Sequence, residues 1–313
     1  FTYIILARFI GGIMAGNIST ATAVVSDVTS KENRAKGMAI IGVAFALGFV
    51  IGPALGGMLS TINLVEKFPE WQSMGINPFS SPAILAFVLT VINLVMVSLV
   101  FKESLPKDKR NIESTQRSAN VLKIFKPLPF PGVNLTNYAH FLFLTAFSGM
   151  EFTLTFLAAE RLGYSSMNNA YIFIYIGFIL ALVQGGIVRR MAHKVGEKKM
   201  AMMGLILIIP GLAIIAQAYT SGMFYFGLTF LAIGSSMAIP CLTTLVTFYT
   251  PSTEQGRSIG VFRSLGALAR VLGPIFASLC YYKYGTGAPY YLGSAFLLIP
   301  ILMVSKLPKP QHT

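Results

Sequence analysis

The stretch Ala46-Leu47-Gly48-Phe49-Val50-Ile51-Gly52-Pro53-Ala54-Leu55-Gly56-Gly57 returns later in the chain as Ala267-Leu268-Ala269-Arg270-Val271-Leu272-Gly273-Pro274-Ile275-Phe276-Ala277-Ser278, at an offset of 221 residues. Working outward, Thr29 meets Thr250, Lys36 meets Arg257 and Met38 meets Ile259 at the same offset. Both copies lead from a short polar turn into an apolar helix with Gly-Pro near its middle. Small residues recur at four-residue spacing, Gly48, Gly52 and Gly56 in one copy and Ala269, Gly273 and Ala277 in the other. Residues four apart share a helix face, so each helix presents a smooth stripe that lets another backbone come close. One such stripe alone is common in membrane helices. Its duplication in register, behind a similar loop, is the mark of a chain built from two related halves.

The composition fixes the solvent. The 313 residues are 54% hydrophobic with mean hydropathy +0.68 and only 11% charged, where soluble domains carry about 25%. That excludes an ordinary soluble domain and a disordered chain, leaving an all-α polytopic membrane protein. Nine stretches approach the length of about 20 apolar residues that spanning requires: Thr2–Val25, Gly37–Ser60, Ala83–Phe101, Tyr138–Ala159, Ala170–Val188, Met200–Tyr219, Met223–Phe248, Ile259–Tyr281 and Tyr290–Val304. Nineteen of the 24 Lys and Arg residues fall in one set of alternate loops, and Lys67, Arg161 and Lys283 in the other. The basic loops are therefore expected to be cytoplasmic, with the C-terminus among them. The net charge of +13 then reads as a topology signal rather than a nucleic-acid surface. Residues 1–101 and 138–313 are expected to be parts of two halves, joined by a cytoplasmic loop over 102–137.

These residues resemble the major facilitator superfamily, whose members have two six-helix halves. Leu6-Ala7-Arg8-Phe9-Ile10-Gly11-Gly12 is similar to the arginine-bearing motif of that family's fourth helix, without the usual Gln before the second Gly. Gly48 to Gly57 matches the fifth-helix motif of its drug antiporters. Gln184-Gly185-Gly186, Arg189-Arg190 and Gly196-Glu197-Lys198-Lys199 resemble the second-half loop motif, with its Asp position filled differently. The resemblance implies nine of twelve helices, four to twelve, with the first three missing. Residues 37–45 and 263–270 resemble the tetracycline transporter-like members in particular. That implies an organic anion or drug carrier, in the plasma membrane or the nuclear inner membrane, with protons and a small organic anion as partners and no cofactor.

Ionisable groups inside a bilayer cost a few kcal/mol each and are functional suspects. Arg8, with Asn17 further along its helix, reads either as a cavity cation or as an arginine snorkelling to the interface. Glu151 lies about 20 Å into its span, and reads as a proton-exchanging carboxylate or a structural partner of an Arg. Arg263 and Arg270 are seven apart and so near one face, Arg263 close enough to the edge to snorkel. Gln184 is candidate polar lining, and His140 is placed near the headgroups. Arg8, Glu151 and Arg270 together leave the spans net positive, which favours an anionic substrate. The conformational motifs are Gly48, Gly52, Pro53, Gly56, Gly57, Gly273 and Pro274. The loop motif supplies Gly186, Arg189, Arg190, Gly196 and Lys198.

An embedded enzyme would need clustered nucleophile, base or metal ligands. Three dispersed His and two Cys in apolar stretches, Cys241 and Cys280, provide neither that nor metal-ligand spacing. The competing reading is a scaffold or receptor that keeps the transporter fold without transporting.

Overall fold

The computed structural model describes residues 2–14, 21, 24–25, 28–29, 44, 47–48, 51–101, 126–130, 132–251 and 254–308. The described residues form helices and no strand: α1 (Thr2–Met14), α2 (51–59), α3 (Leu64–Lys67), α4 (Ser80–Val100), α5 (Val133–Leu162), α6 (Ser166–Leu182), α7 (Arg189–Val195), α8 (Glu197–Ala216), α9 (Ser221–Phe248), α10 (Gln255–Tyr284), α11 (Ala288–Phe296) and α12 (Leu298–Ser305). A π-helical segment, Val183–Val188, joins α6 to α7. Among the described residues, seven helical stretches are long and apolar enough to cross a membrane: α4, α5, Ser166–Ala192, α8, α9, α10 and Ala288–Ser305. The first two expected spans, Thr2–Val25 and Gly37–Ser60, fall partly outside the described residues.

The chain divides into two units, residues 1–55 with 62–119, and residues 56–61 with 120–313. In the first, Asn63 caps α3 by accepting from the amides of Val65 and Glu66. Ser81 at the head of α4 donates to the carbonyl of Ile62 at 2.6 Å. Apart from that serine, α4 buries none of its residues. An apolar helix exposed all round is stable only in lipid, where its backbone bonds are closed internally.

In the second unit the helices pack by close approach. A bilayer offers little hydrophobic drive between helices, so contact area and small residues decide. α8 and α9 form a hairpin in which Gly204 faces Gly234 and Gly211 faces Gly227. A Cβ on Gly204 would lie 2.5 Å from the carbonyl oxygen of Gly234. Leu205, Ile208, Leu212, Phe224 and Leu228 fill the remaining seam and are fully buried. Thr220 caps α9 by accepting from the Met223 amide.

Most boundaries shift by a few residues from the sequence expectation, and two of the differences have a visible local cause. α5 begins at Val133 rather than Tyr138, because Gly132 adopts φ 85° and Asn134 holds the approach, its side chain bonding both the amide and the carbonyl of Leu128 at 2.8 Å. The last expected span is two helices meeting at Leu297. Pro300 lacks the amide that would continue the ladder there, and Leu297 closes α11 through its own amide on the Gly293 carbonyl.

Candidate substrate pathway

α5 and α10 run parallel and touch along most of their length. Gly149 and Gly273 meet at the middle of the seam, where a Cβ on Gly149 would stand 2.6 Å from the carbonyl oxygen of Gly273. Ser148 donates to the Ala269 carbonyl at 3.1 Å. One residue along, Pro274 cannot donate to the carbonyl of Arg270, four residues back. The seam therefore joins a weakened helical turn on α10 to a polar contact from α5. Nearer the start of both helices, His140 is buried and stacks on Phe262 with centroids 3.9 Å apart. Gly266 leaves room for the ring, and a Cβ there would sit 3.2 Å from its Nε2.

The charged candidates of this unit gather along the same pair of helices. Arg263 and Arg270 are both exposed on α10. Arg270 lies within electrostatic reach of both His140 and Glu151 on α5. Glu151 is half-buried and forms no ion pair within 4.0 Å with any described residue. Gln184 falls in the π-helical segment and is half-buried, with Gly185 and Gly186 beside it. π-Helical turns inside α-helices recur at functional sites. Arg8 is exposed on α1, whereas Asn17 lies outside the described residues.

The motif residues find different surroundings. Gly48 and Gly52 are exposed, Pro53 and Gly56 are half-buried, and Gly57 is buried. A Cβ on Gly57 would overlap that of Ala170. In the loop motif, Gly196 adopts φ 89° and separates α7 from α8. Arg189 opens α7 and Arg190 is exposed. Lys198 donates from Nζ to the carbonyls of Ser305, at 2.9 Å, and Leu307. A lysine on the last carbonyls of a helix satisfies groups that have no intrahelical donor, so Lys198 holds the end of α12.

Two polar junctions were not anticipated. At the Lys198 end, Tyr249 packs its ring on Gly132 and donates to the Pro308 carbonyl at 2.6 Å. Burial pushes its hydroxyl up to about 12. At the opposite end, Arg161 donates from Nε to Thr286 Oγ1 and from Nη1 to the Ala216 carbonyl, each at 2.7 Å. Its guanidinium also lies 4.8 Å from the centre of the Tyr219 ring. One side chain thus ties the ends of α5 and α8 to the α10–α11 turn. Nothing in the spacing of Arg161, Ala216 and Thr286 announces this junction, because 55 and 125 residues separate the partners. Among the described residues no group of three His, Cys, Asp or Glu side chains is arranged to hold a metal ion.

Comparison with known proteins follows the same architecture. The sequence model of the Major Facilitator Superfamily matches residues 1–195 and 187–313. Major facilitator superfamily domain-containing protein 10 of Mus musculus is 32% identical over 332 residues, covering 100% of this chain and 68% of that protein. Tetracycline resistance protein, class B, of Escherichia coli is 26% identical, over 95% of this chain and 71% of that protein. The crystal structure of the human organic anion transporter MFSD10 (TETRAN) superposes with a TM-score of 0.71 at 29% identity, covering 97% of this chain and 71% of that one.

Proposed function

This chain belongs to the major facilitator superfamily, a multi-pass membrane transporter rather than an enzyme, and from that premise we propose that it carries a small organic anion by alternating access. The observation that carries the reading is the pair of exposed cations on one face of α10, Arg263 and Arg270, with Arg270 next to the Gly273-Pro274 turn. Arg270 is the binding cation, and Arg8 on α1 is a second cation of the pathway. The crystallised human relative is named an organic anion transporter, which supports the same substrate class. Gly273 and Gly52 are the places where helices slide and repack as the two halves, residues 1–101 and 138–313, rock about a central site.

Glu151 is the coupling group. It sits within reach of Arg270 but more than 4.0 Å from it, so anion and proton bind to neighbouring groups and each alters the other's affinity. Coupling of this kind requires that the two ligands favour different conformations. The basic loops orient the Lys198 end and the C-terminus toward the cytoplasm.

Counterflow of a labelled aromatic carboxylate in proteoliposomes tests this. The unaltered protein should exchange label. Arg270→Gln should lose exchange by about tenfold or more. Glu151→Gln should keep exchange yet lose acceleration by an imposed pH gradient. A folded, inserted protein that binds but never exchanges the anion would leave the scaffold reading standing.

A further inference from the structure

A pocket of about 520 Å³ opens between α5 and α10 near the Arg161 end of both helices. Tyr281, on its wall, lies eleven residues past Arg270, three helical turns and about 16 Å further along nearly the same face. Four rings border it: Phe152 and Phe156 from α5, tilted with centroids 5.5 Å apart, and Tyr281 and Tyr282 from α10, edge-on at 6.0 Å. The buried Thr153 lies on its wall, bonded to the Tyr290 hydroxyl. The charged group of the pocket is Glu160. Its Oε2 accepts from the Tyr281 hydroxyl at 2.7 Å.

The neighbouring cations do not neutralise that carboxylate. Arg161 is adjacent in sequence, but its guanidinium is committed to Thr286, Ala216 and Tyr219, and no ion pair within 4.0 Å joins it to Glu160. Lys283 is drawn over the Tyr284 ring, 5.4 Å from its centre. Glu160 therefore has a tyrosine hydroxyl, and no cation within 4.0 Å, as its described partner. A carboxylate among aromatic faces attracts one class of ligand. Ring faces carry negative quadrupole charge and draw organic cations, while both the rings and the carboxylate repel anions. A hydrated metal ion would want several oxygen ligands, which this pocket does not assemble.

We propose that the Glu160 pocket binds an organic ammonium group, with Phe152, Phe156, Tyr281 and the largely exposed Tyr282 bordering the alkylated head and Glu160 balancing its charge. The site is separate from the anion reading of Arg270 and does not depend on transport. Quaternary ammonium reaches such a site from two sources, a soluble amine or the choline headgroup of a lipid. If both ends of the face are occupied together, the carrier accepts molecules or pairs of opposite charge.

Equilibrium dialysis of labelled benzyltrimethylammonium against the purified protein in dodecyl maltoside tests the proposal. Saturable binding is expected, with 3-phenylpropionate failing to compete. Glu160→Gln should weaken it at least tenfold and Phe156→Leu several-fold, while Tyr281→Phe, which frees the carboxylate but keeps the ring, should retain or tighten it. Repeating the titration in nanodiscs of phosphatidylcholine and of phosphatidylglycerol separates the sources. Weaker apparent binding in phosphatidylcholine alone assigns the site to the lipid headgroup, and equal binding assigns it to soluble amines. Absence of saturable binding, equal competition by the anion, or unchanged affinity in Glu160→Gln would overturn the proposal. Should Glu160→Gln not fold, the Phe156→Leu and Tyr281→Phe pair decides it. Because the readout is equilibrium binding, its failure leaves the transport proposal untouched, and loss of anion exchange leaves this one untouched.

Discussion

The two Gly-Pro helices share a sequence pattern and differ in what meets it. On α10, Gly273 lies against Gly149, close enough that neither position has room for a side chain. Around Gly48 and Gly52, no described residue of their own unit comes within 4 Å of where a Cβ would stand. A small stripe permits close approach without supplying the partner. In the second unit α5 supplies it, through Gly149 and the Ser148 hydroxyl on the Ala269 carbonyl. The pattern therefore marks a surface that is able to pack closely, and the surrounding helices decide whether it does so.

The sharpest way to break this contrast is to fill both stripes. Gly273→Leu should destabilise the second unit by roughly 3 kcal/mol or prevent its folding, since overpacking of a tight seam costs about 1–3 kcal/mol and backbone obstructs the added carbons. Gly52→Leu should leave thermal unfolding and insertion unchanged while stopping uptake. Equal unfolding shifts for the two variants would erase the distinction, and normal uptake by Gly52→Leu would remove that stripe from the mechanism.

A smaller effect is expected at the Arg161 junction, which has no glycine seam. Arg161→Ala removes two charge-assisted hydrogen bonds and a stacked ring from a half-exposed site, for a loss of about 2 kcal/mol. Hydrogen exchange should rise at the adjoining ends of α5 and α8 and leave the Gly149–Gly273 seam protected. Uniform deprotection would mean that seam and junction are one cooperative unit.

The smallest change concerns the opposite end. Tyr249 lies outside the spans and its hydroxyl titrates near 12 when folded, against about 10 in an unfolded chain. The unfolded state thus loses its proton first. The stabilisation from the neutral tyrosine is complete below about pH 10 and declines as pH rises toward 12. Tyr249→Phe should cost about 1 kcal/mol at pH 7 and flatten the fall in stability across that alkaline window. An unchanged alkaline profile would show that Tyr249 does not control it.

Much of the fold was legible because lipid permits few solutions. Runs of apolar residues must be helices when no water is present to satisfy the backbone. The helix ends were less legible. Asn134 falls in the expected 102–137 loop, yet its side-chain amide pins Leu128 and α5 starts early. The polarity of His140 is visible in the sequence, but its covering ring, Phe262, lies 122 residues away. In the sequence Glu160 is followed directly by Arg161. Only the folded chain shows that the arginine turns elsewhere and leaves the carboxylate to a tyrosine.

By itself the sequence determined that this protein resides in lipid, that its helices span it, and that a Gly-Pro segment occurs twice, because hydropathy, length and repetition are properties of the chain alone. The tertiary structure decided which small stripe is filled, which charges face each other, and where a carboxylate stands among aromatic rings. Those outcomes depend on contacts between residues more than a hundred positions apart, whose pairing is set by how whole helices cross and which side chains fit between them.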